Sequence, residues 1–157
     1  MTPTVQGQPK MVTVTVRGNI DGQPLIKITT RNHQFAVSNE INPIGSQEKG
    51  VSPLEYLMGA FASSELALFK QVASELGFEY DLVEMRIEGE LDPRGMHGEL
   101  GVRSLLQEIR QTVRVRTQET AERLVKVKKE VEQRCPVFNL FKAANLMPHT
   151  VWEKNNS

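Results

Sequence analysis

The chain of 157 residues is poor in cysteine, in aromatic side chains, in histidine and in any excess of charge, and each shortage excludes a class of protein. A single cysteine rules out an internal disulfide framework and any zinc or iron–sulfur site built from repeated cysteines of one protomer. The 19 Lys and Arg residues balance 19 Asp and Glu residues, leaving no net field to draw a nucleic acid or an anionic membrane. The basic residues of VRVRTQETAERLVKVKKEVEQR alternate with valines or stand among glutamates, so no phosphate-tracking patch is expected. Long apolar runs are missing too: the most lipid-like stretch, Tyr56 to Ser64, holds nine residues, against about 20 for a membrane-spanning helix. The opening MTPTVQGQPK carries no secretory pattern, so the expectation is a cytoplasmic protein with no membrane and no nucleic-acid partner. His33, His97 and His149 are dispersed, and even with Glu40 near His33 they reproduce no metal-ligand spacing. With no glycine-rich phosphate loop either, no cofactor and no metal are expected.

What the chain does have is short segments of clear period, enough for one core: a flexible tail over residues 1–10 and a single domain over 11–157. MVTVTVR, Met11 to Arg17, places Val12, Val14 and Val16 on one side of a predicted half-buried strand. Asp21-Gly22 marks a turn, Leu25 to Thr30 a second strand and His33 to Val37 a third, together an antiparallel meander. The polar, glycine- and proline-bearing SNEINPIGSQEKGVSP reads as a loop. Pro53 to Leu76 then predicts one long helix, opened by a tolerated proline and closed by Gly77, with Leu57, Phe61, Leu68, Val72 and Leu76 inward. Its small residues Gly59, Ala60, Ala62, Ser63 and Ser64 suit the close approach of another backbone.

Beyond Gly77, Val83, Met85, Ile87, Gly89 and Leu91 alternate with charged residues, Asp92 to Gly95 marks a turn, and Ile109, Val113 and Val115 mark another strand. Thr117 or Thr120 caps a predicted helix with Leu124, Val127 and Val131 inward, ending near Arg134. Pro136 opens a further short helix, and HTVWE forms an edge strand, so the fold class is α+β. Cys135 stands directly before that helix, where free backbone N–H groups favour a thiolate. The same position equally suits a small buried hydrophobe that only packs.

SPLEYLMGAFASSELAL, the glycine after that helix, the EGELDPRG turn and CPVFNLF together resemble the OsmC/Ohr family, which contains hydroperoxide reductases, over nearly all of Met11 to Trp152. The resemblance implies an OsmC-like fold of curved antiparallel sheets around long central helices, in an intertwined homodimer with active sites near the subunit interface. Peroxide-reducing relatives use two cysteines, and counting from Pro53 places Ser64 at the peroxide-attacking position while Cys135 matches the resolving one. A serine hydroxyl cannot be oxidised to a sulfenic acid, so the resemblance implies a divergent stress-related member without the complete two-cysteine site. For the supporting charges, Glu55 stands one position later than the family's glutamate, where a helix N-terminus also explains it, and Arg31, ahead of Arg17, matches the family's arginine. Three readings stay open: peroxidase-like reduction of an organic hydroperoxide or electrophile through Cys135 with an external thiol reductant, binding of a small apolar molecule in an interface cleft shaped by Phe61 and Phe69, or a structural or protein-interaction module. The expected partners are therefore a second copy of the chain and one of these small molecules.

Overall fold

Alternation and helical period yield ten elements in the computed structural model, which describes residues 11–22, 25–38 and 50–155. The expected tail, Glu40 and residues 39–49 of the polar stretch lie outside the described residues. β1 (Arg17–Asn19), β2 (Leu25–Thr30) and β3 (His33–Ser38) form an antiparallel meander, with Ile28 opposite Phe35. β1 is shorter than the period of residues 11–17 predicts. Residues 11–16 adopt no regular structure, and Val12, Val14 and Val16 stay exposed because none of the described elements covers their apolar side.

The helix α1 (Pro53–Leu76) keeps the predicted bounds. Ser52 caps it by accepting from the Glu55 N–H at 3.2 Å, while the Glu55 carboxylate accepts from the Ser52 N–H at 2.7 Å, satisfying two of the unpaired donors at this end. Gly77 ends it at φ +57°, a left-handed turn that costs glycine no Cβ clash. Leu76, expected inward, is 42% exposed. The Arg123 guanidinium, reaching from the next helix, donates to the Leu76 and Gly77 carbonyls at 2.7 and 2.9 Å and supplies the positive charge that α1's last turn lacks.

Next come β4 (Leu82–Leu91), a 3₁₀ turn (Pro93–Gly95), β5 (Leu106–Arg116), α2 (Ala121–Arg134), α3 (Pro136–Ala143) and β6 (His149–Asn155). Thr120, rather than Thr117, caps α2. β4 pairs antiparallel with β5, but β6 pairs parallel with β5, Arg110 facing His149 and Arg116 facing Asn155. The curved antiparallel sheets expected around long central helices are therefore corrected: the described strands form two open three-stranded sheets, and the second is mixed. Parallel neighbours need a long crossover, which α2 and α3 provide.

α1 packs on β4, α2 and α3 over two apolar clusters. One joins Phe69, Val72, Phe78, Val113, Leu124, Val127 and Val131, with Trp152 of β6 stacked on Phe69 at 6.1 Å. The other joins Phe61, Ile109, Cys135, Phe138 and Phe141. The first sheet meets this body at the start of α1. There the Phe35 and Tyr56 rings lie 5.1 Å apart, and the Tyr56 hydroxyl donates to the Ala36 carbonyl at 3.0 Å.

Candidate functional site

Proline at position 136 forces a break between two helices, and Cys135 occupies that break. It is at once the C-cap of α2, its N–H donating to Val131, and the N-cap of α3. Its sulfur accepts from the Phe138 N–H at 3.4 Å, a weak version of the bond a capping serine makes. The Cys135 side chain is wholly buried among Phe61, Ile109, Phe138 and Phe141. α1 brings Ser64 to it: the hydroxyl oxygen and the sulfur are 3.3 Å apart, either able to donate. Residues 71 apart in sequence thus meet as a hydroxyl–thiol pair where a disulfide would need two sulfurs.

The supporting charges do not join them within one chain. Glu55 is engaged in the capping box and lines a cavity of about 540 Å³ with Leu54, Met58, Ile87, Glu90 and Leu106. Arg31, at φ +50° in the β2–β3 turn, lines a separate recess of about 820 Å³ with Arg17, Thr29 and residues 13–16. Phe61 and Phe69, expected to shape an apolar cleft, are buried in the two clusters and line neither cavity. His33 opens β3, His97 follows the 3₁₀ turn and His149 opens β6; among the described residues no group of three or more His, Cys, Asp or Glu side chains is placed to hold a metal ion.

Sequence reasoning missed Glu65 and Gln111, both fully buried, with the Gln111 amide donating to the Glu65 carboxyl. The signal was there: Glu65 falls midway on the four-residue stripe Phe61–Glu65–Phe69, and Gln111 on the alternation Ile109–Gln111–Val113. Burial holds the Glu65 carboxyl up at about 7, while the Glu75 carboxyl, gripped by Arg134 at 2.6 Å, is held down at about 2.

A family model described as OsmC-like protein matches residues 45–147, from the approach to α1 to the end of the α3–β6 loop. The chain belongs to the OsmC/Ohr family. It is a divergent OsmC-like protein, whose one cysteine leaves the two-cysteine site incomplete. Solved structures share the fold at low identity. An OsmC-like protein from Mycoplasma pneumoniae is 16% identical at a TM-score of 0.75, covering 91% of this chain and 97% of that one. An organic hydroperoxide resistance protein from Elizabethkingia anophelis is 14% identical at 0.68, covering 94% and 100%. An OsmC-like protein of unknown function from Vibrio cholerae is 12% identical at 0.68, covering 92% and 100%. Among curated proteins no significant match was found. Among the described residues no helix is long and apolar enough to cross a membrane.

Proposed function

We propose that this OsmC-like protein binds a small apolar molecule and acts as a pair of chains, without the hydroperoxide turnover of two-cysteine relatives. The carrying observation is the cavity beside α1's first turn: Leu54, Met58, Ile87, Leu91 and Leu106 give it apolar walls, and Glu55 and Glu90 give it polar ones. Ser64 opposite Cys135 supports the loss of turnover, since the hydroxyl cannot take up peroxide oxygen. Pairing is supported by the exposed Gly59, Ala60 and Ser63 on α1 and by Val12, Val14 and Val16, all apolar or small surface that a second copy would cover. A cytoplasmic setting, with its reduced thiol pool, suits a lone cysteine. Native mass spectrometry after gentle purification tests both parts: the expected species is a dimer that carries, or takes up from a lipophilic mixture, one apolar compound per site. A dimer that enriches nothing overturns the binding reading, and a monomer overturns the pairing.

One observation favours a second reading, thiol-dependent reduction in answer to oxidative stress: the Phe138 N–H aimed at the Cys135 sulfur, the arrangement that makes helix N-termini favour nucleophilic sulfur. The cycle would run RSH + R′OOH → RSOH + R′OH, then RSOH + 2 R″SH → RSH + R″SSR″ + H₂O, the external thiol R″SH being the reductant. Stopped-flow mixing with an organic hydroperoxide decides between the two. The binding reading expects no rate difference between the wild type and Cys135→Ser beyond that of a free thiol.

A further inference from the structure

The two most enclosed large polar side chains belong to neither cavity. α1 sets Glu65 between Phe61 and Phe69, and β5 sets Gln111 between Ile109 and Val113. Phe61 and Ile109 belong to the cluster around Cys135, while Phe69 and Val113 belong to the other, so the pair marks the seam between the clusters. Gln111 Nε2 donates to Glu65 Oε2, and lies 3.5 Å from Met85 Sδ of β4. Glu65 Oε1 and Gln111 Oε1 are buried with no partner. Both are acceptors when Glu65 is ionised, and a buried acceptor without a donor is costly. A proton on Glu65 supplies the missing kind of group, an O–H donor.

Other charges do not remove this need. From α2, Lys128 attracts and Glu132 repels the carboxylate, and these two pair with each other at 3.8 Å. Glu132 is also held by the Thr150 hydroxyl of β6 at 2.9 Å. We propose that Glu65 is a proton-operated latch: as a neutral acid it ties α1 to β5, and loss of its proton opens the seam and admits small reagents to the adjoining Cys135 thiol. The latch does not depend on what the site binds, because the thiol serves only as its reporter.

The sign follows from burial raising the Glu65 carboxyl from 4.5 to about 7. Once opened, the group ionises as an ordinary carboxylate, so opening gains with rising pH between those two values and levels off above. Linkage sets the gain at roughly fortyfold between pH 5 and 7, and only about twofold between pH 7 and 8. Reaction of the full chain with the neutral disulfide 4,4′-dithiodipyridine reads this, each rate being divided by that of the urea-unfolded chain at the same pH to cancel thiolate formation. The wild type is expected to follow that curve and Glu65→Gln to stay flat. A flat wild-type ratio, a rise shared by Glu65→Gln, or no reaction at any pH overturns the latch. Infrared spectra of the wild type keep the test independent of the variant's folding: a protonated carboxyl stretch at about pH 6 that vanishes by about pH 9 is expected, and its absence at the lower pH overturns the proposal.

Discussion

The two sheets carry similar apolar alternation to opposite ends. In β5, Ile109 is wholly buried against α1 and α3, and Val113 and Val115 against α1 and α2, whereas Val12 and Val14, in the same pattern ahead of β1, are 79% and 85% exposed. Alternation states a demand for cover, and only an element lying across the strand meets it. β4, β5 and β6 carry their own helices; among the described residues the first meander meets the rest of the chain around the start of α1, through Phe35 and the Ala36 carbonyl at Tyr56 and through the Ser38 N–H donating to the Val51 carbonyl at 2.9 Å. The family model likewise starts at residue 45, after the meander. The self-sufficient half is thus the half that holds the Ser64–Cys135 pair.

Substitutions sharpen this contrast. Phe61→Ala removes a fully buried ring that lies 5.3 Å from Phe141, and urea unfolding should show a loss of about 3–5 kcal/mol. Gly89→Ala would place a Cβ 3.1 Å from both Met58 Sδ and Leu106 Cδ2, where α1 crosses β4, and overpacking there should cost about 1–3 kcal/mol. Phe35→Ala, in the meander, loses the tilted contact with Tyr56, and about 1 kcal/mol is expected. Should Phe35→Ala cost as much as Phe61→Ala, the division into a self-sufficient and a dependent half fails. The exposed Glu75–Arg134 pair stabilises above the ordinary carboxylate range, and its contribution is lost as pH falls from 4.5 through about 2. Glu75→Gln should lower the urea midpoint slightly at neutral pH, where the exposed pair contributes little, and converge with the wild type near pH 2, so that the acid limb is flatter within that window. Val14→Ser is expected to shift the unfolding free energy of dilute chains by less than about 0.5 kcal/mol.

Where a segment's own chain satisfies it, the sequence was readable. The bounds of α1 followed from Pro53 and Gly77, the inward stripe of α2 from Leu124, Val127 and Val131, and the start of α3 from Pro136. The family resemblance, counted from Pro53, also implied that Ser64 stands opposite Cys135, and the structure sets the two in contact. Three things were not legible. Strand direction depends on the path of the crossover and not on period, so the parallel β6 escaped. The exposure of residues 11–16 turns on cover that no local pattern encodes. Glu65 and Gln111 interrupt apolar stripes with polar residues, and a period search steps over them because their compensation lies on each other, 46 residues apart.

The parallel placement of β6 also orders events as the chain leaves the ribosome. β4 and β5 follow one another with only residues 92–105 between them and can pair as soon as both emerge, but β6 finds its edge only after α2, the Cys135 corner and α3 have been synthesised. Until then the outer edge of β5 is bare and Trp152 is not yet stacked on Phe69. The nascent protein therefore passes through a stage with an unprotected strand edge and one apolar cluster incomplete, the stage at which a chaperone, or a second nascent copy, has most to bind.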